Sequence, residues 1–140
     1  MTTPLVSIIT PAYNSASYIE ETLASVLAQT FTAFEHIVAD DGSTDDTIDV
    51  VRRVAGGDPR VVITTTSHGG AAIARNAAFR QARGRFIALL DSDDVWMPNY
   101  LSEQLKIAES SGVPGAQYYD KVVLAKGEKQ FRSKMDPKPN

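Results

Sequence analysis

The chain has 140 residues, 43% of them hydrophobic, a formal net charge of -3 and no cysteine. This is one domain of ordinary size, or part of a larger one, with enough apolar side chains for a real core. The charge gives no general pull toward nucleic acid or an anionic membrane. The missing thiols exclude a disulfide framework and a thiolate metal site, which fits a reducing compartment.

Met1-Thr-Thr-Pro4 has no basic segment, and only Leu5 to Thr10 precede Pro11, so neither a signal peptide nor a membrane span is expected there. Leu5 to Thr10 is apolar and β-branched, and predicts a first strand ended by Pro11. Pro11-Ala-Tyr-Asn14 is a loop. Ser17 and Glu20 have the spacing of a capping box, and Ile19, Leu23, Val26 and Leu27 then form an apolar stripe at helical period. After a connection over Thr30 to Ala33, Phe34 to Ala39 predicts a second strand, ending at Asp40-Asp-Gly-Ser-Thr44. Ser43 or Thr44 is suited to cap the next helix, with Asp45 and Asp46 in its first turn, where negative charge complements the dipole. Its buried face is Ile48, Val51 and Val54 or Ala55, and Gly56-Gly-Asp-Pro59 stops it.

Arg60 to Thr65 is a third strand. Gly69-Gly70 opens an Ala-rich helix from Ala71 to about Arg83, with Gly84 as its C-cap glycine. Phe86 to Leu90 is an unbroken apolar run, the pattern of a strand buried on both faces. Pro98 sits where a helix begins, with Leu101, Leu105 and Ala108 on its apolar side. Gly112-Val-Pro-Gly115 is a loop, Ala116 to Ala125 a further strand, and Lys126 to Asn140 a loose, basic, Pro-containing tail. The expected division is an α/β domain over 1–115, with 116–140 a tail or the start of another region.

Strand and helix alternate, which predicts a mostly parallel sheet with helices on both faces. Ligands bind such sheets at the carboxyl ends of the strands. Three strand ends carry unusual chemistry: Pro11-Ala12-Tyr13, Asp40-Asp41 and Asp91-Ser92-Asp93, and these are expected to meet on one edge. The last is the sharpest. A buried strand that stops at Asp91, Asp93 and Asp94 gathers like charges that raise each other's pKa unless a cation sits among them. In an extended backbone Asp91 and Asp93 point the same way and make one end of a hard-cation site. The plainer alternative is that these are turn formers, with Asp94 facing solvent.

Two nucleotide-binding patterns fail. The first loop has no glycine, so the Gly-x-Gly-x-x-Gly of a dinucleotide site is absent, and no phosphate-cradling Gly-x-x-x-x-Gly-Lys-Ser/Thr string occurs. Phosphates, if bound, need neutralising by other means, such as a metal on Asp91 and Asp93.

Four stretches together, Val6-Ser-Ile-Ile-Thr-Pro-Ala-Tyr-Asn14, Val38-Ala-Asp-Asp-Gly-Ser-Thr-Asp-Asp-Thr47, Gly69-Gly-Ala-Ala-Ile-Ala-Arg-Asn76 and Leu90-Asp-Ser-Asp-Asp-Val-Trp-Met-Pro98, resemble the amino-terminal half of family 2 glycosyltransferases, inverting enzymes of the GT-A fold. The resemblance runs from Leu5 to about Ser110. It implies a nucleotide-diphosphate-sugar donor, most often a UDP-sugar, with Mn²⁺ or Mg²⁺, bound by Pro11, Ala12, Tyr13, Asp40, Asp41, Arg75, Asp91, Ser92 and Asp93. Carried over by position, Tyr13 stacks on the base, Asp41 or Asp40 accepts from it, and Arg75 reaches the base edge or diphosphate. Asp91 touches the ribose or supports the metal, and Asp93 ligates the metal directly. For Tyr13 the alternative is a core aromatic, for Asp41 a helix cap, for Arg75 a surface ion pair. His36 reads as structural, and His68 is near enough to Gly69-Gly70 to approach the phosphates, though neither is a chosen site residue.

An inverting transferase needs a general base for the acceptor hydroxyl. In the resembled family it lies well beyond the acidic motif, and no Glu-Asp pair follows Pro98. The resemblance therefore implies a donor-binding half, poor at transfer alone, directed to a saccharide or lipid-linked acceptor. It also implies apolar surface open to self-association, and a cytoplasmic location with peripheral attachment to the cytoplasmic membrane face as the variant. The rival readings are a non-catalytic nucleotide-binding or interaction domain of the same fold and, ranked lower, a nucleotidyltransferase.

Overall fold

The computed structural model describes residues 3–110, 117–118 and 122–125. The elements in order are β1 (Val6–Ala12), α1 (Ile19–Leu27), β2 (Phe34–Asp40), α2 (Thr47–Ala55), β3 (Val61–Thr65), α3 (Ala71–Gln81), β4 (Phe86–Leu89), α4 (Tyr100–Ser110), β5 (Gln117–Tyr118) and β6 (Val122–Ala125). They build one sheet of order β3-β2-β1-β4-β6-β5. The first four strands are parallel, and β6 pairs antiparallel with β4 and with β5. The single strand expected over Ala116 to Ala125 is thus two short ones. The expected loop at Gly112–Gly115 and the tail from Lys126 lie outside the described residues.

Side-chain alternation assigns the two faces. Val6 and Ile8 of β1, Phe34 of β2 and Phe86 and Ala88 of β4 pack with Val26 of α1 and Leu101 and Leu105 of α4. Ile9, Ile37, Ala39 and Ile87 point the other way, onto Ala74 and Ala78 of α3. Ala12, Val38 and Val51 meet Ile19 and Leu23, which joins α1 to α2. The sheet is therefore covered on both faces. Each wholly buried Ile or Leu contributes about 1.5–3 kcal/mol relative to exposure. His36, at 0% exposure, bonds Thr10 Oγ1 through Nε2 at 2.7 Å. Burial pushes its pKa down from 6.5 to about 3, so it is a neutral, structural residue.

Several local expectations need correction. The capping box at Ser17 and Glu20 does not form. Tyr18 is the N-cap of α1 without a side-chain bond, and the carbonyl of Ser15 accepts from the amides of Tyr18 and Ile19. Neither Ser43 nor Thr44 caps α2, whose N-cap is Asp46. Asp45 folds over instead, accepting from the amides of Thr47 and Ala16. The residue after α3 is Ala82 in an extended conformation, so Gly84 is not a left-handed cap. Its requirement is space: a Cβ there would lie 2.5 Å from the amide nitrogen of Ser7. The α4 helix begins at Tyr100, after a turn at Pro98-Asn99.

Beneath Gly84, at the amino ends of the strands, Glu35 is buried. Its carboxylate accepts from Ser7 Oγ at 2.6 Å, the Arg83 amide at 2.7 Å and Arg83 Nε at 3.0 Å. Burial works to raise its pKa, but the Ser7 hydroxyl and the Arg83 amide and guanidinium outweigh it and hold it below the usual value.

Candidate functional site

The strand ladders run one step past the strands at their carboxyl ends. The Asp41 amide donates to Ala12 O, Thr66 to Asp40 O and Leu90 to Ile9 O, at 2.8, 2.9 and 3.0 Å. This aligns the loops after β1, β2, β3 and β4 along one edge. Between them opens a cleft of about 350 Å³, lined by Pro11, Ala12, Tyr13, Asn14, Ser15, Tyr18, Asp41, Ala71, Arg75, Asp91, Ser92 and Asp93. Of the residues singled out from the sequence, all but Asp40 line it. Asp40 lies behind the wall at 1% exposure, its Oδ2 accepting from the Ser43 amide, its Oδ1 without a partner among the described residues.

Asp41 reaches the cleft with a carboxylate that is already engaged. Oδ1 accepts from Thr66 Oγ1 and the Gly69 amide, both at 2.9 Å, and Oδ2 from the Gly70 amide at 2.8 Å. The Gly69 amide is the largest cause of its lowered pKa; burial opposes, and Gly70, Thr66 and His68 add to the lowering. The capping alternative was thus aimed at the wrong helix, because these amides lead into α3 and not α2. Gly42, at φ 75°, lets this corner close: a Cβ there would meet the His68 amide at 3.0 Å.

Tyr13 is 43% exposed and stacks on His68, ring centroids 4.1 Å apart at 22°. His68 Nδ1 lies 3.3 Å from Asp41. His68 therefore stands beside the aromatic and the engaged acid, and its closeness to Gly69 and Gly70 in sequence was the available clue. The Tyr13 loop is fastened by Asn14, which adopts φ 48° and accepts at Oδ1 from the amides of Thr44 and Asp45 while its own amide donates to Ser43 Oγ.

Across the cleft the chain turns. The Asp94 amide donates to Asp91 O at 3.1 Å, so the backbone is not extended and Asp91 and Asp93 do not converge by strand alternation. They converge by the turn, which also brings in Asp94: the three carboxylates each place an oxygen within 4.8 Å of the others. Asp91 and Asp93 are exposed and Asp94 half-buried. Arg75, on α3, sits 3.6 Å from Asp91 Oδ1, a partly exposed contact of small energy. An all-oxygen, solvent-open carboxylate group fits a hard cation such as Mg²⁺ or Mn²⁺. Ser92, inside the turn, shares a hydroxyl contact of 2.9 Å with Ser15. Asn14, Ser15 and Tyr18 escaped the sequence reading, since a polar or aromatic residue in a loop carries no period to mark it.

Over residues 7–134 the sequence matches the profile of glycosyl transferase family 2. The chain belongs to that family. It is 47% identical over 104 residues to a putative teichuronic acid biosynthesis glycosyltransferase, TuaG, of Bacillus subtilis (strain 168), covering 74% of this chain and 41% of that protein. Among solved structures it is similar to S. aureus TarS 1-349 in complex with UDP-GlcNAc, at a TM-score of 0.70, 34% identity, and 75% and 31% coverage of the two chains. It is also similar to the mannosyltransferase PcManGT from Pyrobaculum calidifontis, solved with GDP-Man and Mn²⁺, at 0.72, 34%, 83% and 35%. The sheet and its helices are thus those of the GT-A glycosyltransferases, and the family 2 chain described here spans about two fifths or less of the length of these relatives. No helix among the described residues is long and apolar enough to cross a membrane.

Proposed function

We propose that this chain is the donor-binding part of an inverting glycosyltransferase that takes a nucleotide-diphosphate sugar, a UDP-sugar in first place, together with Mn²⁺ or Mg²⁺. The observation that carries the reading is the cleft itself: its wall holds an exposed aromatic, Tyr13, and carboxylates of an oxygen-only group, with Arg75 of α3 at 3.6 Å from Asp91. A base stacks on Tyr13 at the end where Asp41 and His68 stand. The diphosphate runs toward the acidic turn. There Asp93 and Asp91, with Asp94, hold the cation, and Arg75 adds positive charge. When bound, the cation neutralises the diphosphate as the sugar departs. Asp41 supports this site by fixing the Gly69-Gly70 corner, and any contact of its own to the base adds to the amides it already holds.

Solved relatives bound to UDP-GlcNAc and to GDP-Man with Mn²⁺ support a nucleotide-sugar donor. Residues 1–115 make up the donor unit on this reading, and the chain from 116 begins the acceptor side. The acceptor is a saccharide or lipid-linked glycan, and its general base belongs to the length that the relatives have in addition. Calorimetric titration of UDP tests the donor site, first with Mn²⁺ and then with EDTA. Metal-dependent binding that vanishes in Asp93→Ala is the expected result. Absence of binding in folded protein under both conditions would sink the proposal.

A further inference from the structure

The acidic turn and the residues after it, Ser92 to Asn99, belong to no strand or helix. Their backbone groups still need partners, and the partners come from α1. Thr22 Oγ1 donates to Ser92 O at 2.9 Å. Ser25 Oγ accepts from the Trp96 amide at 3.2 Å. Gln29, just past the helix, donates through Nε2 to Met97 O at 2.7 Å and accepts at Oε1 from the Leu101 amide at 3.0 Å. The Thr30 amide closes the series on Pro98 O at 2.9 Å. Thr22, Ser25 and Gln29 follow one another at helical spacing, and all are buried at 0, 9 and 4% exposure. This is a polar stripe beside the apolar one. Side-chain packing anchors the segment mainly through Trp96, because Val95 and Met97 point outward at 57 and 71% exposure.

We infer that Thr22, Ser25 and Gln29 are positioning residues for the cation: by holding the loop backbone they preset the separation of the Asp91, Asp93 and Asp94 carboxylates. The inference rests on the metal reading proposed above. Thr22 matters most, since its hydroxyl holds the carbonyl between Asp91 and Asp93. Groups that orient metal ligands without touching the ion typically change affinity by about 10–100-fold when removed. A carboxylate turn freed of its backbone ties must be ordered at each binding event, which weakens binding without changing a ligand.

The test is Mn²⁺ titration of the 140-residue chain, followed by the electron paramagnetic resonance signal of the free ion. Thr22→Val keeps the shape and removes the donor; its Mn²⁺ dissociation constant is expected to rise about tenfold, with Thr22→Ser restoring it. Val54→Ala on α2 is the control for a general loss of stability: it is expected to unfold earlier yet bind Mn²⁺ as the parent does. Should Thr22→Val not fold, Ser25→Ala removes the Trp96 tie, together with the bond from Ser25 Oγ to the Thr22 carbonyl within α1, and gives a smaller shift in the same direction. Equal affinity in Thr22→Val and the parent overturns the positioning role while leaving the metal site standing. So does an equal weakening in Val54→Ala. A parent chain that takes up no Mn²⁺ overturns the metal reading and this inference with it.

Discussion

Two pairs of aspartates end neighbouring regions of the same sheet, and they are put to opposite uses. Asp40 ends β2 and Asp41 follows it; they are buried at 1 and 3% exposure, and Asp41 is saturated by two amides and a hydroxyl. Asp91 and Asp93 follow β4, stand in solvent, and gather with Asp94 around open space. Residue type and position on the fold are alike; what differs is how many donors already reach the oxygens. An acid surrounded by amides is part of the architecture, whereas exposed acids gathered in one turn, with Arg75 at 3.6 Å from Asp91, are accessible to a cation.

The contrast is open to breaking, beginning where the effect is largest. Asp93→Ala is expected to lose at least about 100-fold in Mn²⁺ affinity, about 2.7 kcal/mol, with the thermal midpoint unmoved. A large fall in that midpoint would show that the acidic turn, too, is structural. Glu35, the other buried carboxylate, sharpens the opposite side. Glu35→Gln leaves Arg83 without its ion pair and is expected to cost about 2 kcal/mol in urea unfolding, discounted because Arg83 is half exposed, with Mn²⁺ affinity unchanged. Asp41→Asn turns an acceptor into a donor facing the Gly70 amide. It is expected to lower the unfolding midpoint by less than Glu35→Gln and to leave Mn²⁺ affinity within about twofold, since no cation contact is lost.

The smallest effect per step is in pH. The pKa values of Glu35 and Asp41 are lowered from 4.5 and 3.8, so their contributions are present at neutral pH and lost only as pH falls below those values. His36 is lowered from 6.5 to about 3, so its contribution is full above 6.5 and drains as pH falls toward 3. Between 6.5 and 4.5 the loss from His36 runs at up to about 1.4 kcal/mol per unit. Stability measured across that window should slope in the parent and be flatter in His36→Leu. Equal slopes would show that His36 does not carry the acid sensitivity.

The sheet was legible because alternation and apolar runs are periodic, and the meeting of Tyr13 and Asp93 followed from topology, whereas Arg75, inside a helix, came only from the family resemblance. Helix starts were not, since Ser17, Ser43 and Thr44 have the right chemistry for caps but a tertiary partner decided otherwise: Asn14 holds the Thr44 amide, and Ser43 holds that of Asn14. The convergence of Asp91 and Asp93 was expected for the wrong reason, an extended backbone in place of a turn. The polar stripe on α1 went unseen because Thr22, Ser25 and Gln29 read as solvent-facing when only the apolar residues are followed.

The two ends of α3 are both tied to β2. Asp41, one residue past the strand, holds the amides before the helix, and Glu35, near its start, holds the Arg83 amide after it. Six strand steps from Glu35 to Asp41 span about 20 Å at about 3.3 Å each. The ten helical steps from Ala71 to Gln81 span about 15 Å at about 1.5 Å each, and the non-helical residues at the two ends, Gly70, Ala82 and Arg83, supply the rest. Strand and helix are thus matched in length, like two sides of a frame. A one-residue insertion or deletion in α3 would break that match and rotate Arg75 by about 100°, whereas the turn at Gly56-Gly57, where an added Cβ meets nothing within 4 Å, has room to grow. Length variation among family members should therefore collect in that turn and avoid the span from Gly69 to Gly84.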